Sequence, residues 1–99
     1  SQSAPVLPSE RECRFGRWYY GETNRGMHRL AHFQQIERPH TAVHQQGQQA
    51  IEAFRRQALE DALAHMSEME EANLDVMRIV AALIGEHEKE LRPAISEAC

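Results

Sequence analysis

His40 and His44 stand four residues apart in a stretch that reads as helix, so both rings lie on one face, a turn from each other. Two imidazoles placed this way can grip one metal ion as half of a site. Zinc takes four donors in a tetrahedron, drawn from thiolate, imidazole and carboxylate, so the pair needs partners from another element. Spacing alone is weak evidence, because a chain with six histidines in 99 residues yields H-x3-H easily. Cys13 is a candidate third donor, since it falls in an apolar-patterned segment beside Phe15, Trp18 and Tyr19. Its competing reading is a small buried hydrophobe, the commoner fate of a lone cysteine. On the residues alone, both readings of Cys13 stand.

The elements that must position these residues are helical. Residues 1–8, with two prolines and little pattern, read as an irregular lead-in. Ser9 and Glu12 form an S-x-x-E capping box, which predicts a helix over 10–20, weakened by Gly16 and ended at Gly21. Asn24-Arg25-Gly26 reads as a turn, and Met27, Leu30, Phe33 and Ile36 recur at helical spacing in a short second segment. Pro39 suits the first turn of a helix running to about Arg56. Its inward stripe is His40, His44, Gly47, Ile51 and Phe54, so both histidines are in line with core positions. A long last helix is predicted from near Ala58 to about Leu91, ahead of Pro93, with Arg55-Arg56-Gln57 as the turn or kink before it. One seam of that helix is Ala62, Met66, Met69, Asn73, Val76, Val80, Leu83 and His87. A second stripe, Leu59, Leu63, Leu74, Met77, Ala81 and Ile84, widens the apolar face to that of a bundle helix. No strand pattern occurs, so the expected class is all-α, with a helical domain over 9–92 and a tail at 93–99.

Composition limits the function classes. A chain of 99 residues is one domain with a thin margin of stability, which a metal, a partner chain or long paired helices would raise. The formal net charge of -4 offers no basic footprint for nucleic acid or an acidic membrane surface. The uncharged run from Ile79 to Gly85 is too short to span a bilayer, and no basic segment followed by an apolar run opens the chain. Two cysteines, Cys13 and Cys99, are too few for a secreted disulfide scaffold, so free thiols in a reducing, cytoplasmic compartment are expected. Met66, Met69 and Met77 read as core or dimer-face residues. Asn73 reads as a register-setting or surface residue, and Glu68, Glu70 and Glu71 as a solvated face.

The block Cys13-Arg14-Phe15-Gly16-Arg17-Trp18-Tyr19-Tyr20, followed by Pro39-His40-Thr41-Ala42-Val43-His44, closely resembles the chemoreceptor zinc-binding domain. In that family C-x-[LF]-G-[KR]-W and P-H-x-x-V-H recur at this separation, and a weaker likeness extends the resemblance over about residues 13 to 85. It implies a four-helix bundle holding zinc through three histidines and one cysteine. It also implies a regulatory module of bacterial chemoreceptors and diguanylate cyclases, usually a homodimer joined to a signalling domain. Cys13, His40 and His44 match three of the four family ligands. The family's fourth is a histidine on a helix ahead of the cysteine block, whereas residues 1–12 carry no histidine, so either that helix is expected upstream of Ser1 or the set is completed by a water or another histidine. Of the internal histidines His32 is the nearest substitute, while His28, His65 and His87 read as surface or seam residues. Trp18 is expected to be buried, packed across the bundle near the metal or, as the favoured reading, simply in the core.

The leading expectation is a zinc-responsive sensory module, open to oxidants through the cysteine ligand. One alternative is a metal-free helical dimerisation module. The other is a zinc hydrolase with an open coordination position, disfavoured because Thr41 follows His40 where a zincin helix carries glutamate.

Overall fold

The longest apolar seam builds the longest element. In the computed structural model, which describes residues 6–21 and 25–98, α4 runs from Leu59–Ala98 over 40 residues. At 1.5 Å per residue that is about 60 Å, and it accounts for the long axis of a molecule measuring 63 × 23 × 20 Å. Three helices precede it: α1 (Arg14–Tyr19), α2 (Ala31–Gln35) and α3 (Glu37–Arg55), with a 3-10 turn at Arg25–Met27. The described residues contain no strand, so the class is all-α as expected. Residues 1–5 of the lead-in, Asn24 of the expected turn, and Cys99 lie outside the described residues.

The frame is a hairpin of α3 and α4, with α2 packed against both near one end. The connection at 56–58 is closed by backbone bonds: the Gln57 N–H donates to the Phe54 carbonyl and the Ala58 N–H to the Ala53 carbonyl. This is the paired capping pattern that needs a left-handed residue just past the helix, and Gln57 supplies it at φ 64°. The turn expected at Arg55-Arg56-Gln57 is therefore a full helix stop. Beside it, Ala50, Ala53 and Ala62 are buried, and their small side chains let the two helices approach closely. At the far end the core is large and aromatic: Tyr19, Leu30, Phe33, Ile36, Val76 and Leu83 bury together. The Tyr19 hydroxyl donates to the Phe33 carbonyl at 2.6 Å. Burial, with Glu37 and Tyr20 nearby, pushes its pKa up to about 12.

Several local expectations change. Ser9 and Glu12 do bond reciprocally, the Ser9 N–H to Glu12 Oε1 and the Glu12 N–H to the Ser9 carbonyl, each at 3.0 Å. They close only a turn, and the helix begins after Cys13 because the chain must fold back over Gly16 there. Met27 to Ile36 is not one helix, since Leu30 is extended (ψ 135°) and starts the short α2. Phe54 is 69% exposed, not inward, because the α3 face beside it is lined by Ala50 and Ala53. Trp18 is 38% exposed, its ring against Phe15 and edge-on to Phe33 of α2, so it is not the buried ring that was expected. The second α4 stripe, including Leu59, Leu63, Leu74, Met77 and Ile84, is exposed. Asn73 is exposed too, as are Glu68, Glu70 and Glu71. Beyond Leu91 the helix carries on through Pro93 to Ala98, where it was expected to stop. A proline deletes one N–H, and here the helical path continues on both sides of it.

Candidate metal centre

Cys13 is the cap of α1 and not a residue within it. Its backbone is extended (φ -68°, ψ 164°), and its Sγ accepts from the Gly16 N–H at 3.2 Å. This takes the place of the oxygen that a serine or aspartate would offer to the first turn. Gly16 is required for that arrangement. A Cβ there would sit 1.7 Å from the Glu10 carbonyl oxygen, because the 9–13 turn lies directly on the helix backbone. The residue that looks like a weakness in the sequence is thus the one that lets the cysteine turn form.

From α3, His40 and His44 face that turn. Cys13 Sγ lies 3.4 Å from His40 Nε2, and the two imidazoles meet edge-on with centroids 4.9 Å apart. One donor atom from each of Cys13, His40 and His44 falls within 4.8 Å of the others. A tetrahedral zinc with bonds of about 2.3 Å to sulfur and 2.05 Å to nitrogen sets its ligand atoms about 3.5 Å apart. The Cys13–His40 spacing is already that of a shared metal, and small side-chain rotations would bring the remaining pairs in. The donor set, one thiol and two imidazoles, is also the chemistry zinc selects.

Electrostatics favours the same use. His40 is buried under Phe15, with ring centroids 4.8 Å apart. Burial, then the neighbouring His44, lowers its pKa from the usual 6.5, against an opposing pull from Glu10. The ring is therefore held neutral, the form that binds a metal. Its Nδ1 is fully buried with no hydrogen-bond partner, an uncompensated polar atom of the kind that marks functional sites. His44 Nδ1 lies 2.8 Å from the Pro8 carbonyl oxygen, which can only accept, so Nδ1 carries the hydrogen and Nε2 keeps its lone pair. A metal-binding histidine is commonly oriented through its other nitrogen in this way.

Three of the remaining histidines are engaged elsewhere. His32 Nδ1 pairs with Glu86 Oε2, joining α2 to α4, which takes the sequence's nearest substitute ligand away from the cluster. His65 Nδ1 is 2.7 Å from Gln46 Oε1, and His28 stacks on Phe33. His87 is half-buried on α4, and none of the four joins the Cys13 cluster among the described residues. Sequence reasoning missed Pro8 and the need for Gly16. The first acts through a backbone carbonyl and leaves no side-chain signal, whereas a glycine three residues past a cysteine was visible.

Compared with known proteins, the chain matches the sequence pattern of the chemoreceptor zinc-binding domain over residues 1–51. That stretch contains all three clustered residues and ends within α3, short of the span to about residue 85 that the resemblance suggested. No curated protein and no solved structure matches the chain.

Proposed function

Because the chain belongs to the chemoreceptor zinc-binding domain family, we propose that it is a zinc-binding regulatory module of a bacterial signalling protein, with Cys13, His40 and His44 as ligands. The observation that carries this reading is the convergence of those three donors from two separate elements, with His40 neutral and His44 oriented. Bound zinc supplies a cross-link between the cysteine turn and α3. Cys13 and Gly16 hold one side of that link and the α3 histidines the other, so metal gain or loss changes how α1 sits on the hairpin. On the family's pattern the fourth donor is a histidine from a helix ahead of the cysteine block, and a water would also complete the set.

The regulatory output goes to an attached signalling domain, of the chemoreceptor or diguanylate cyclase type. A homodimer in the cytoplasm suits the exposed apolar stripe of α4, which a second copy could cover. No helix among the described residues is long and apolar enough to cross a membrane. The thiolate that would bind zinc is also the atom an oxidant would attack, which makes oxidant input through Cys13 part of the proposal. The family is regulatory and not catalytic, and Thr41 leaves His40 without the adjacent glutamate of a zincin.

Metal analysis of the purified chain tests the reading. Stoichiometric zinc is expected in the parent, with loss in both Cys13→Ala and His44→Ala. Tight zinc that persists undiminished in both variants would sink it.

A further inference from the structure

Before it reaches Cys13, the chain lies across the middle of α3. The Leu7 N–H donates to Gln48 Oε1 at 3.0 Å, and the Pro8 carbonyl accepts from His44 Nδ1 at 2.8 Å. Between these two bonds sits Gly47. A Cβ on Gly47 would meet Leu7 Cδ1 at 3.0 Å and Met69 Sδ at 3.2 Å, so the glycine makes a notch in α3 that Leu7 enters alongside α4. A glycine in the interior of a 19-residue helix is unfavourable unless something must approach the backbone closely, and here Leu7 does.

We propose that residues 6–13 form a metal-controlled latch, seated on α3 by Leu7 over Gly47 and by the Pro8 carbonyl on His44. The inference rests on the zinc reading and extends it to the segment that responds. One end of the latch is the ligand Cys13, and the middle is tied to the ligand His44 through its other ring nitrogen. Metal capture therefore fastens the segment at two points five residues apart. Without the metal, residues 6–8 are held to α3 by two hydrogen bonds and a leucine still 38% exposed, a weak hold against the entropy of ordering them, while the 9–13 turn keeps its own bonds and those to α1. Release uncovers Gly47 and Met69 and frees the Pro8 carbonyl from His44. In return, the seated latch selects the His44 tautomer that presents Nε2 to the metal. Leu7, Pro8 and Gly47 are positioning residues that act on the metal without touching it.

The test uses the full chain with zinc as the probe, in Leu7→Gly, which leaves the helices untouched, and in Gly47→Leu, which fills the notch. Each is expected to bind zinc about tenfold more weakly, as outer-shell changes do, while helix content by circular dichroism stays at the parent level. Two further readouts separate a latch from a packing defect. Zinc should protect the bond after Arg11 from trypsin in the parent but not in Leu7→Gly. Nitrogen-15 spectra of the imidazoles should show the hydrogen of zinc-bound parent His44 on Nδ1, and a rapidly exchanging one in Leu7→Gly. Parent-level zinc affinity in both variants, or cleavage after Arg11 that chelation does not alter, overturns the latch alone. A parent chain that takes up no zinc overturns the metal reading and the latch with it.

Discussion

Residues 6–21 and 25–36 are held together by individual contacts, while α4 relies on a repeated stripe. The first region has helices of 6 and 5 residues, too short to persist unaided. They stand because a sulfur caps α1, a hydroxyl reaches the Phe33 carbonyl, rings stack from Phe15 to Phe33, and Arg11 lies 4.1 Å over the Tyr20 ring. In α4 the inward positions Ala62, Val76 and Leu83 meet neighbours that any apolar side chain of similar volume would satisfy. Of the three clustered donors, Cys13 belongs to the first region and meets His40 and His44 of α3. A site built from single contacts can be switched by losing one of them, whereas a striped helix yields only by degrees.

The largest effect that would break this contrast is expected at Gly16. In Gly16→Ala the new Cβ meets the Glu10 carbonyl, and a backbone atom cannot step aside as a flexible side chain can. The cost should be at least the 3 kcal/mol or so at the upper end of ordinary overpacking, with zinc binding lost together with thermal stability. An alanine variant that melts within a few degrees of the parent would show the turn to be plastic. Next comes Leu83, 1% exposed in the aromatic core, where Leu83→Ala should cost about 2–5 kcal/mol in denaturant unfolding. Leu63→Ala on the same helix, 66% exposed, should change stability by no more than about 0.5 kcal/mol in the isolated chain. A large loss there, growing with protein concentration, would show that a second copy covers the stripe.

A smaller effect is expected from acid. Because folding lowers the His40 pKa, the unfolded chain binds a proton that the folded chain refuses. This contribution is fully present above the ordinary 6.5 and is lost as pH falls below it toward the folded value. Melting midpoints of the chelated protein should therefore drop between about pH 7 and 5, and drop less in His40→Phe. A midpoint as steep in that variant would assign the acid response to other groups. The smallest effect is a gain: Gln57→Gly relieves a left-handed residue and should add about 0.5–1 kcal/mol, read as a higher melting temperature with zinc affinity unchanged.

What could be read from the sequence follows the same division. Periodicity placed α3 and α4 to within two residues at three of their four ends, because long helices average out local exceptions. Apolarity alone could not say which α4 stripe faces α3: the second stripe has no polar member yet lies exposed, while the buried Ala62, Val76 and Leu83 belong to the seam that also carries Asn73 and His87. Likewise Phe54 reads as inward by spacing and lies outward by packing. The three candidate ligands were named from two motifs, and the structure draws them together. The His32–Glu86 pair and the Pro8 carbonyl were not legible, because each is a meeting of residues distant in sequence, and Cys13's place as a cap was masked by the Ser9–Glu12 pair, which marks an earlier helix start.

The length of α4 has a mechanical consequence. Leu83 is the last α4 residue in the buried core among those whose burial is described, and the helix continues to Ala98, an extension of about 22 Å at 1.5 Å per residue. A tilt of only about 5° at the core moves the far end of such an extension by about 2 Å. The alanine contacts beside the hairpin turn hold the opposite end close to α3. Rearrangements too small to disturb the packing around Val76 and Leu83 would reach Ala98 as displacements of about 2 Å, a sizeable fraction of the 5.4 Å helix pitch.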